Sequence, residues 1–280
     1  MSIEVGAGWS HQDLHFFGNS LSGIRTSITM PELSLAFDVA QGFPYTLNLK
    51  HFFMTHGHLD HAAGIPYIIS QKAMTGQNAA HFYMPHSLVE PMQRIMNVWA
   101  EIENHSYNYH FIGLTENQTV PISRTQYLKA FKTHHRVDSL GYTVFQKKTK
   151  LKTEFLGLPP EEIIELRNAG TVLQHEIETP LVSFTGDTQI EFLQTCSWVQ
   201  HSKVLFLEAT YLDDRKSIQS ARDWGHTHLD EIIPLLPTLN CEKIVLIHAS
   251  SRYSFAEAEK ILAEKIPTEF KDRVVLFPGR

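Results

Sequence analysis

Short apolar stretches of strand length recur along the chain and alternate with longer segments that have helical spacing or good helix formers. This interleaving predicts an α/β protein in which helices cover the faces of the sheets. Strands are predicted at residues 34–39, 51–54, 81–84, 127–131, 142–146, 181–185, 203–208, 243–248 and 273–277. Helices are predicted at residues 59–72, 88–103, 160–169, 188–195, 217–222, 229–236 and 255–265.

Two serines occupy positions that are typical of helix N-caps. Ser87 comes directly before the apolar segment that starts near Leu88. Ser254 is followed three residues later by Glu257, which is the spacing of a capping box. We therefore expect helices to begin after these two serines.

Length and composition are those of an ordinary globular protein. The chain has 280 residues, of which 42% are hydrophobic and 19% charged, and a net charge of −6, so disorder is excluded as its main character. The apolar runs are far shorter than the roughly 20 residues of a membrane-spanning helix, and no membrane association is expected. Without a repeat or a Gly/Ser linker, residues 1–280 are predicted to form a single domain.

The balance of histidine and cysteine narrows the possible metal chemistry. There are 17 histidines and 2 cysteines, so a disulfide framework and a thiolate cage are both excluded. Cys196 and Cys241 are best interpreted as buried structural thiols. The N-terminal residues contain no secretory signal, and a cytoplasmic location is expected. Any metal would be held by imidazole and carboxylate groups, which suits zinc, iron or manganese.

The segment MTHGHLDHAAG, residues Met54 to Gly64, directly follows a predicted strand. A loop that leaves the end of a strand can aim alternate side chains at one point, so His56 and His58 can share a metal. Asp60 and His61, at the start of the next helix, would face a second point, and two cations about 3.5–4 Å apart suit the hydrolysis of phosphate esters. A histidine-rich surface turn is the alternative, which four ligand-type residues at this spacing disfavour.

Further candidate ligands stand at the ends of other predicted strands. His134 and His135 end one strand, Asp187 another and His248 a third, and the carboxylate of Asp187 could bridge two metals. A lone histidine after a strand is more often structural than a ligand. The prediction of a metal centre therefore depends on these residues occurring together with the cluster in the earlier loop.

The ordered set HGHLDH, THH…GY, TGDT and LIHAS resembles the metallo-β-lactamase superfamily. Within it, the chain is most similar to short-form tRNase Z of the plant and bacterial type. EAT at Glu208 resembles the HEAT motif, GHTH at Gly225 resembles GHST, and HASSRY at His248 resembles the H-x-S-x-R-Y end of that family. The resemblance runs from about Ser34 to Tyr253. It implies an αββα sandwich with a dinuclear metal site at one edge of the two sheets.

The resemblance also implies a set of metal ligands and a neighbouring group. His135 is preferred to His134 because the family places its ligand six residues before the glycine of GY. Asp38 would brace the metal loop or accept a proton from a ligand imidazole. Two Zn²⁺, with Mn²⁺ or iron possible, would be held by His56, His58, Asp60, His61, His135, Asp187 and His248.

The implied activity is removal of the 3′ trailer of precursor tRNA by a metal-dependent endoribonuclease. A metal-bridged hydroxide would attack the phosphorus, and Asp60 would orient this nucleophile. His226, paired with Glu208, would protonate the leaving 3′ oxygen. His228 is a possible competitor for this role, although a structural position at a helix start is the simpler interpretation.

Two alternatives stay open. A small-molecule hydrolase acting on a phosphodiester, thioester or lactone is favoured by three features: the net charge, a short arm, and Phe16 to Ser20 in place of a glycine-rich loop. Leu207 also stands where the family has the histidine of HEAT. A partner-binding scaffold is the other alternative, which the full set of ligand-type residues disfavours.

The sequence KKTKLK concentrates positive charge at the start of a possible arm, placed at about residues 146–175. On an extended strand Lys148, Lys150 and Lys152 would project from one face, where they could follow a phosphate backbone. We therefore predict RNA contacts for them and for Lys147, against the alternative of an ordinary solvated hairpin. The resemblance further implies a homodimer in which the arm of one subunit serves the other.

Overall fold

The computed structural model describes residues 6–279, which contain two seven-stranded sheets. In the first sheet the strands lie side by side in chain order. From the first strand to the fourth, neighbouring strands pair antiparallel. From the fourth strand to the seventh, neighbouring strands pair parallel. They are β1 (Ala7–His11), β2 (Leu14–Leu21), β3 (Arg25–Met30), β4 (Leu35–Phe37), β5 (His51–Phe53), β6 (Ala80–Pro85) and β7 (Tyr109–Leu114).

The second sheet follows the same plan. Its first four strands are antiparallel, and parallel pairing begins at the fourth. Because parallel strands end at the same edge, the loops that follow them meet there. The strands are β8 (Thr119–Pro121), β9 (Gln126–Lys132), β10 (Leu140–Leu151), β11 (Gln174–Phe184), β12 (Val204–Glu208), β13 (Lys243–Ile247) and β14 (Val274–Leu276).

Three apolar clusters hold the layers together. One lies between the sheets, where the rings of Phe37 and Phe184 stack with centroids 4.8 Å apart. The other two lie outside the sheets, against the helices. The predicted αββα layering is therefore confirmed. The helices are α1 (Leu59–Ala62), α2 (Ile65–Met74), α3 (His86–Glu103), α4 (Pro160–Asn168), α5 (Ile218–Asp223), α6 (Leu229–Ile232) and α7 (Phe255–Lys265).

Several strands of the first sheet were not predicted from the apolar pattern. β1, β2 and β3 contain many polar residues, yet Thr26 and Ser27 are fully buried in β3. Ser20 and Thr26 satisfy one another by a hydrogen bond of 3.1 Å between their hydroxyls. Buried polar side chains that pair across strands hide these strands from a search for apolar runs. β7 of the first sheet and β8 of the second sheet were not predicted either.

The helix predicted at residues 59–72 is divided, and the division matters for the site. A side chain on Gly64 would lie 2.1 Å from the backbone nitrogen of Gly42. The Gly64 amide also donates to the Ala40 carbonyl, so the backbone turns between α1 and α2. The helix predicted at residues 188–195 was wrong in type, because only the 3₁₀ turn Ile190–Gln194 forms there. The helix predicted at residues 229–236 is shorter: α6 ends at Ile232, before Pro234, and a 3₁₀ turn follows.

The two cap predictions have different outcomes. Ser254 accepts from the amide of Glu257, and the Glu257 side chain accepts from the Ser254 amide, so this capping box is confirmed. The Ser87 prediction was wrong, because α3 begins at His86 and its N-cap residue is Pro85, so Ser87 lies inside the helix. The Ser87 hydroxyl instead donates to Asp138 at 2.6 Å, which ties the start of α3 to the loop after β9.

The arm region falls on the outer part of β10 and β11. β9 pairs with β10 only as far as Gln146, whereas β11 continues to pair as far as Leu151. A two-stranded ribbon therefore extends beyond the sheet, and a 3₁₀ turn at Thr153–Phe155 and α4 occupy its tip. Among residues 6–279, no helix has both the length and the apolar character needed to cross a bilayer.

Candidate metal centre

The candidate ligands converge at the edge where the parallel strands of both sheets end. β5 leads into the loop with His56 and His58, and α1 follows with Asp60 and His61. His135 follows β9, Asp187 follows β11 and His248 follows β13. Three groups of atoms are close enough to share an ion: His56, His58, His135 with Asp187; Asp60, His61 with His248; and Asp187 with His226 and His248. The first two groups contain the seven predicted ligands.

Asp187 belongs to the first group and also faces the second. Its Oδ2 is 3.7 Å from His56 Nε2 and 3.9 Å from His135 Nε2. Its Oδ1 is 3.3 Å from both His61 Nε2 and His248 Nε2. The two carboxylate oxygens thus face different groups, which is the position required of a bridging ligand.

The remaining contacts complete the two groups. His58 turns its Nδ1 toward His135 Nε2 at 3.3 Å, while Asp60 Oδ2 is 3.6 Å from His61 Nε2 and 3.5 Å from His248 Nε2. Ligand atoms about 2.1 Å from a tetrahedral ion stand roughly 3.4 Å apart. The observed separations are close to that value.

Unpartnered buried atoms provide an independent test of whether a cation fits. The Nε2 atoms of His56, His61 and His248 and the Oδ1 atom of Asp187 are buried and make no hydrogen bond within the described chain. His61 Nε2 and His248 Nε2 face Asp187 Oδ1 at 3.3 Å as ion-pair contacts, but without a hydrogen bond. A buried polar atom that makes no hydrogen bond costs roughly 1–3 kcal/mol and is rare in folded proteins. Four of them directed at one small space fit the binding of cations.

The opposite side of the imidazoles is held by the protein. His61 Nδ1 is 2.7 Å from Asp38, which also accepts from the amide and the hydroxyl of Thr55 at 2.7 and 2.8 Å. Because the Thr55 hydroxyl donates to Asp38, it accepts from His56 Nδ1 at 2.9 Å. These contacts orient the Nε2 atoms of both rings toward the centre.

Two further rings are oriented by groups that the sequence did not suggest. His135 Nδ1 lies 2.8 Å from the carbonyl of Gly225, and His248 Nδ1 lies 3.1 Å from the Thr210 hydroxyl. Thr55 and Thr210 lie within the motifs MTHGHLDHAAG and EAT, so their positions could have been noticed. The Gly225 carbonyl had no such signal, since every residue has a carbonyl.

Opposite charges in the centre shift the pKa values of its groups. Burial opposes ionisation of Asp187, but the neighbouring His248 and His61 outweigh it and hold the pKa of the carboxyl well below its usual range. Burial likewise opposes the charged form of His61, but Asp187 and Asp38 raise its pKa well above the usual value. The protein thus presents an anionic bridge to the centre.

Backbone strain is concentrated at this edge. Asp38 and His248 adopt φ values of 53° and 60°, in the left-handed region that residues with a side chain seldom occupy. A side chain on Gly186, at φ 60°, would lie 2.6 Å from Thr55. Such conformations cost about 1–3 kcal/mol each and persist where the surrounding contacts fix them.

His226 and Glu208 form a pair beside the ligands. His226 Nδ1 is 2.9 Å from Glu208 Oε1, and 3.9 Å from Asp187 Oδ2. Glu208 is fully buried and also accepts from the amide of Thr188 and the hydroxyl of Thr210. Burial disfavours a charged His226, but the Glu208 carboxylate outweighs burial and raises the pKa of His226 to about 9. The Glu208 carboxylate therefore favours the imidazolium form of His226, in which both ring nitrogens are protonated.

The structure also places residues whose roles the sequence left open. His228 is the N-cap of α6, where its Nδ1 accepts from the Asp230 amide and its Nε2 contacts two backbone carbonyls. Both ring nitrogens of His228 are thus used in contacts with the backbone, so His228 has a structural role at the start of α6. His134 is exposed, unlike His135, and Cys196 and Cys241 are buried free thiols.

The four lysines of the arm do not form one cluster. Lys147 contacts Glu176 at 2.7 Å and Glu178 at 3.6 Å, whereas Lys148 and Lys150 are exposed on the other face of the ribbon. Lys152 follows the strand and lies 3.9 Å from Glu154. The structure does not bring these lysines to the metal centre.

Comparisons with known proteins identify relatives in sequence and a solved structure with the same fold. The model of the beta-lactamase superfamily domain matches residues 46–249. The chain is 33% identical over 259 residues to tRNase Z TRZ1 of Arabidopsis thaliana, covering 92% of both chains. It is 27% identical over 260 residues to tRNase Z TRZ2, chloroplastic, of the same plant, covering 92% of this chain and 73% of the relative. The crystal structure of the short form of human tRNase Z has the same fold, with a TM-score of 0.60, 16% identity and coverage of 92% and 93%.

Proposed function

Because the chain belongs to the β-lactamase superfamily and, within it, to the tRNase Z family, we propose that it is an endoribonuclease that removes the 3′ trailer of precursor tRNA. The observation that carries the proposal is the position of Asp187, whose two carboxylate oxygens face two different groups of histidines. A metal-dependent hydrolase of this family acts at such a centre. The products would be a tRNA with a 3′ hydroxyl and a trailer with a 5′ phosphate.

The centre is proposed to hold two divalent metals, with zinc as the expected ion. His56, His58 and His135 would bind the first, and Asp60, His61 and His248 the second, with Asp187 shared. When bound, the pair would polarise the scissile phosphate and lower the pKa of a water molecule, as dinuclear centres do. Asp38 would keep the His61 ring in the correct orientation.

His226 is proposed to be the general acid. Its Nδ1–H donates to Glu208, which holds the ring and favours its protonated form. Its Nε2 is then the atom that can deliver a proton to the leaving 3′ oxygen. A proton donor of this kind typically contributes about 10²–10⁴-fold to the rate.

Asp60 is proposed to orient the attacking water as well as to bind metal. Its side chain is 14% exposed, whereas that of Asp187 is 3% exposed. One of its oxygens contacts His248 and His61, and the partly open side of the carboxylate can accept a hydrogen bond from water. The buried Asp187 has no comparable access to solvent.

A homodimer is also proposed, with α3 in the interface. Ile95, Val98, Trp99 and Ile102 are between 41% and 65% exposed, and their spacing places them on one side of the helix. An apolar stripe of this kind on the solvent side of a helix is typical of a surface that a second copy covers.

Trp99→Asp should give a monomer in sedimentation equilibrium, whereas Ile24→Asp, at an equally exposed isoleucine elsewhere, should not. A wild-type monomer at all concentrations would contradict the proposal.

A cytoplasmic location stays a prediction.

A cleavage assay tests the proposed function. Purified protein is incubated with a precursor tRNA that carries a 3′ trailer and, in parallel, with bis(p-nitrophenyl) phosphate. Cleavage directly after the tRNA body, with the two ends given above, is the expected result. Hydrolysis of the small diester without cleavage of precursor tRNA would indicate a small-molecule hydrolase on the same fold.

A further inference from the structure

Two loops meet beside the metal centre and carry an exposed stacked pair. The loop after β9 is joined to the turn after α5 by the contact between His135 Nδ1 and the Gly225 carbonyl. Arg136 and Trp224 are the neighbours of these two residues in the chain. The guanidinium carbon of Arg136 lies 4.8 Å from the centre of the Trp224 ring.

The pair is poorly explained by packing. Trp224 is 58% exposed and belongs to none of the three apolar clusters. Arg136 is also exposed, and no carboxylate of residues 6–279 forms an ion pair with it. By contrast, Arg215, which stacks on Tyr253, also contacts Asp213 at 2.9 Å. The Arg136–Trp224 pair thus offers an aromatic surface and a positive charge to solvent.

The backbone fixes this pair relative to the reacting groups. Gly225 has a φ of 75°, and a side chain there would lie 2.9 Å from His135 Nδ1 and 3.0 Å from the Arg136 amide. The turn is therefore pressed closely against the loop after β9. Trp224 directly precedes Gly225, whose carbonyl contacts the candidate ligand His135, and stands two residues before His226, the proposed proton donor.

We propose that Trp224, with Arg136 stacked on it, is a binding subsite for one unpaired base of the RNA beside the scissile phosphate. This inference rests on the proposed function, because it requires an RNA substrate. Aromatic side chains stack bases of any sequence, and a guanidinium beside them adds charge for the backbone. One face of the indole is occupied by Arg136, which leaves the other face for the base.

A double-mutant cycle between protein and substrate tests the subsite. The protein is changed by Trp224→Ala, and the precursor tRNA is made without a base at the nucleotide on one or the other side of the cleavage site. For the wild type, removing the stacked base should lower kcat/KM by about 10-fold, the size expected for one base–aromatic stack. For Trp224→Ala, the same removal should have almost no further effect, since the partner is already gone.

Control variants separate stacking from folding. Trp224→Phe keeps an aromatic face and should retain most of the wild-type sensitivity to the abasic substrate. Arg136→Ala should raise KM for precursor tRNA more than Lys271→Ala, which removes the same charge at another exposed position. Metal content and thermal unfolding of Trp224→Ala are measured alongside, so that loss of the centre is recognised.

The outcomes distinguish this inference from the proposed function. If wild-type protein with intact metal does not cleave precursor tRNA, the proposed function fails. If it cleaves but the two reductions in kcat/KM simply multiply at both abasic positions, the function stands and the stacking subsite is overturned. Coupling at one position supports the subsite and shows which side of the cleavage site it binds.

Discussion

In the metal centre, side chains from loops far apart in the sequence meet in a buried space, whereas the arm is an exposed ribbon made by two neighbouring strands. Charge in the centre is buried and closely paired: Asp187 lies among histidines, and Glu208 accepts hydrogen bonds from several groups. Charge in the arm is mixed, and Lys147 lies beside two glutamates. Buried charges are weakly screened and exposed ones strongly.

The difference predicts how each region responds to mutation. Removing one group from the centre leaves other buried charges without a partner, and large effects are expected. Removing one exposed lysine from the arm changes only a screened interaction, for which a small effect is expected. The following changes test this contrast, starting with the largest expected effect.

Asp187→Ala should cause the greatest reduction in activity. Its two oxygens face both groups of ligands, so both metals should dissociate more readily than after any single histidine replacement. Because metal stabilisation of charge is worth several kcal/mol, cleavage should fall by at least about 10⁴-fold. Metal content measured by elemental analysis, together with the cleavage rate, checks this. A variant that keeps both ions would show that Asp187 does not bridge.

The adjacent histidines His134 and His135 form a matched pair. His135→Ala should lose the first metal, because the His135 ring faces His58 and Asp187. His134→Ala should leave metal content near normal, because His134 is exposed. Elemental analysis of the two variants decides between them, and the reverse pattern would place the ligand at His134.

His226→Ala should slow the reaction without removing metal. A rate reduction of about 10²–10⁴-fold is expected for precursor tRNA, since the leaving 3′ oxygen needs a proton. The reduction should be smaller for bis(p-nitrophenyl) phosphate, whose leaving group is stable without one. Rates on both substrates and metal content are measured. Equal reductions on the two substrates would instead indicate that His226 supports the structure.

The smallest effect is expected in the arm. Replacing Lys148, Lys150 and Lys152 with Ala should weaken tRNA binding and flatten its dependence on salt, by roughly 0.7–0.9 in the logarithmic slope for each phosphate that the variant no longer neutralises. Lys147→Ala is the control, because its charge is already balanced by Glu176 and Glu178. Salt titrations of tRNA affinity measure the slopes. Identical slopes for the wild type and the triple variant would identify the lysines as an ordinary solvated face.

The alternation of short apolar segments and helical segments predicted an α/β protein, and the resemblance to the metallo-β-lactamase superfamily added the αββα layering and the full set of expected ligands. Ligand-type residues directly after apolar strands, such as His56 and His248, must lie where the strands end. The brace role expected for Asp38 has a matching contact, at 2.7 Å from His61. The role of Asp38 was implied by the family resemblance, whereas the positions of His56 and His248 follow from strand position and residue type.

Other features depend on tertiary contacts that leave little trace in a sequence. The β3 strand was missed because it contains buried polar residues, of which Thr26 pairs with Ser20 and Thr29 donates to the Phe17 carbonyl across the sheet. The turn at Gly64 is set by close contact with the backbone of Gly42, and the His135 ring is oriented by the Gly225 carbonyl. No residue type identifies these contacts in advance.

A titration of metal into metal-free protein tests the central claim most directly. Bound metal per chain and cleavage of precursor tRNA are followed in the same samples, and the ends of the products are mapped. We predict that two ions bind per chain and that cleavage after the tRNA body accompanies their binding. Cleavage by protein that holds no metal and is unaffected by a strong chelator would contradict the account.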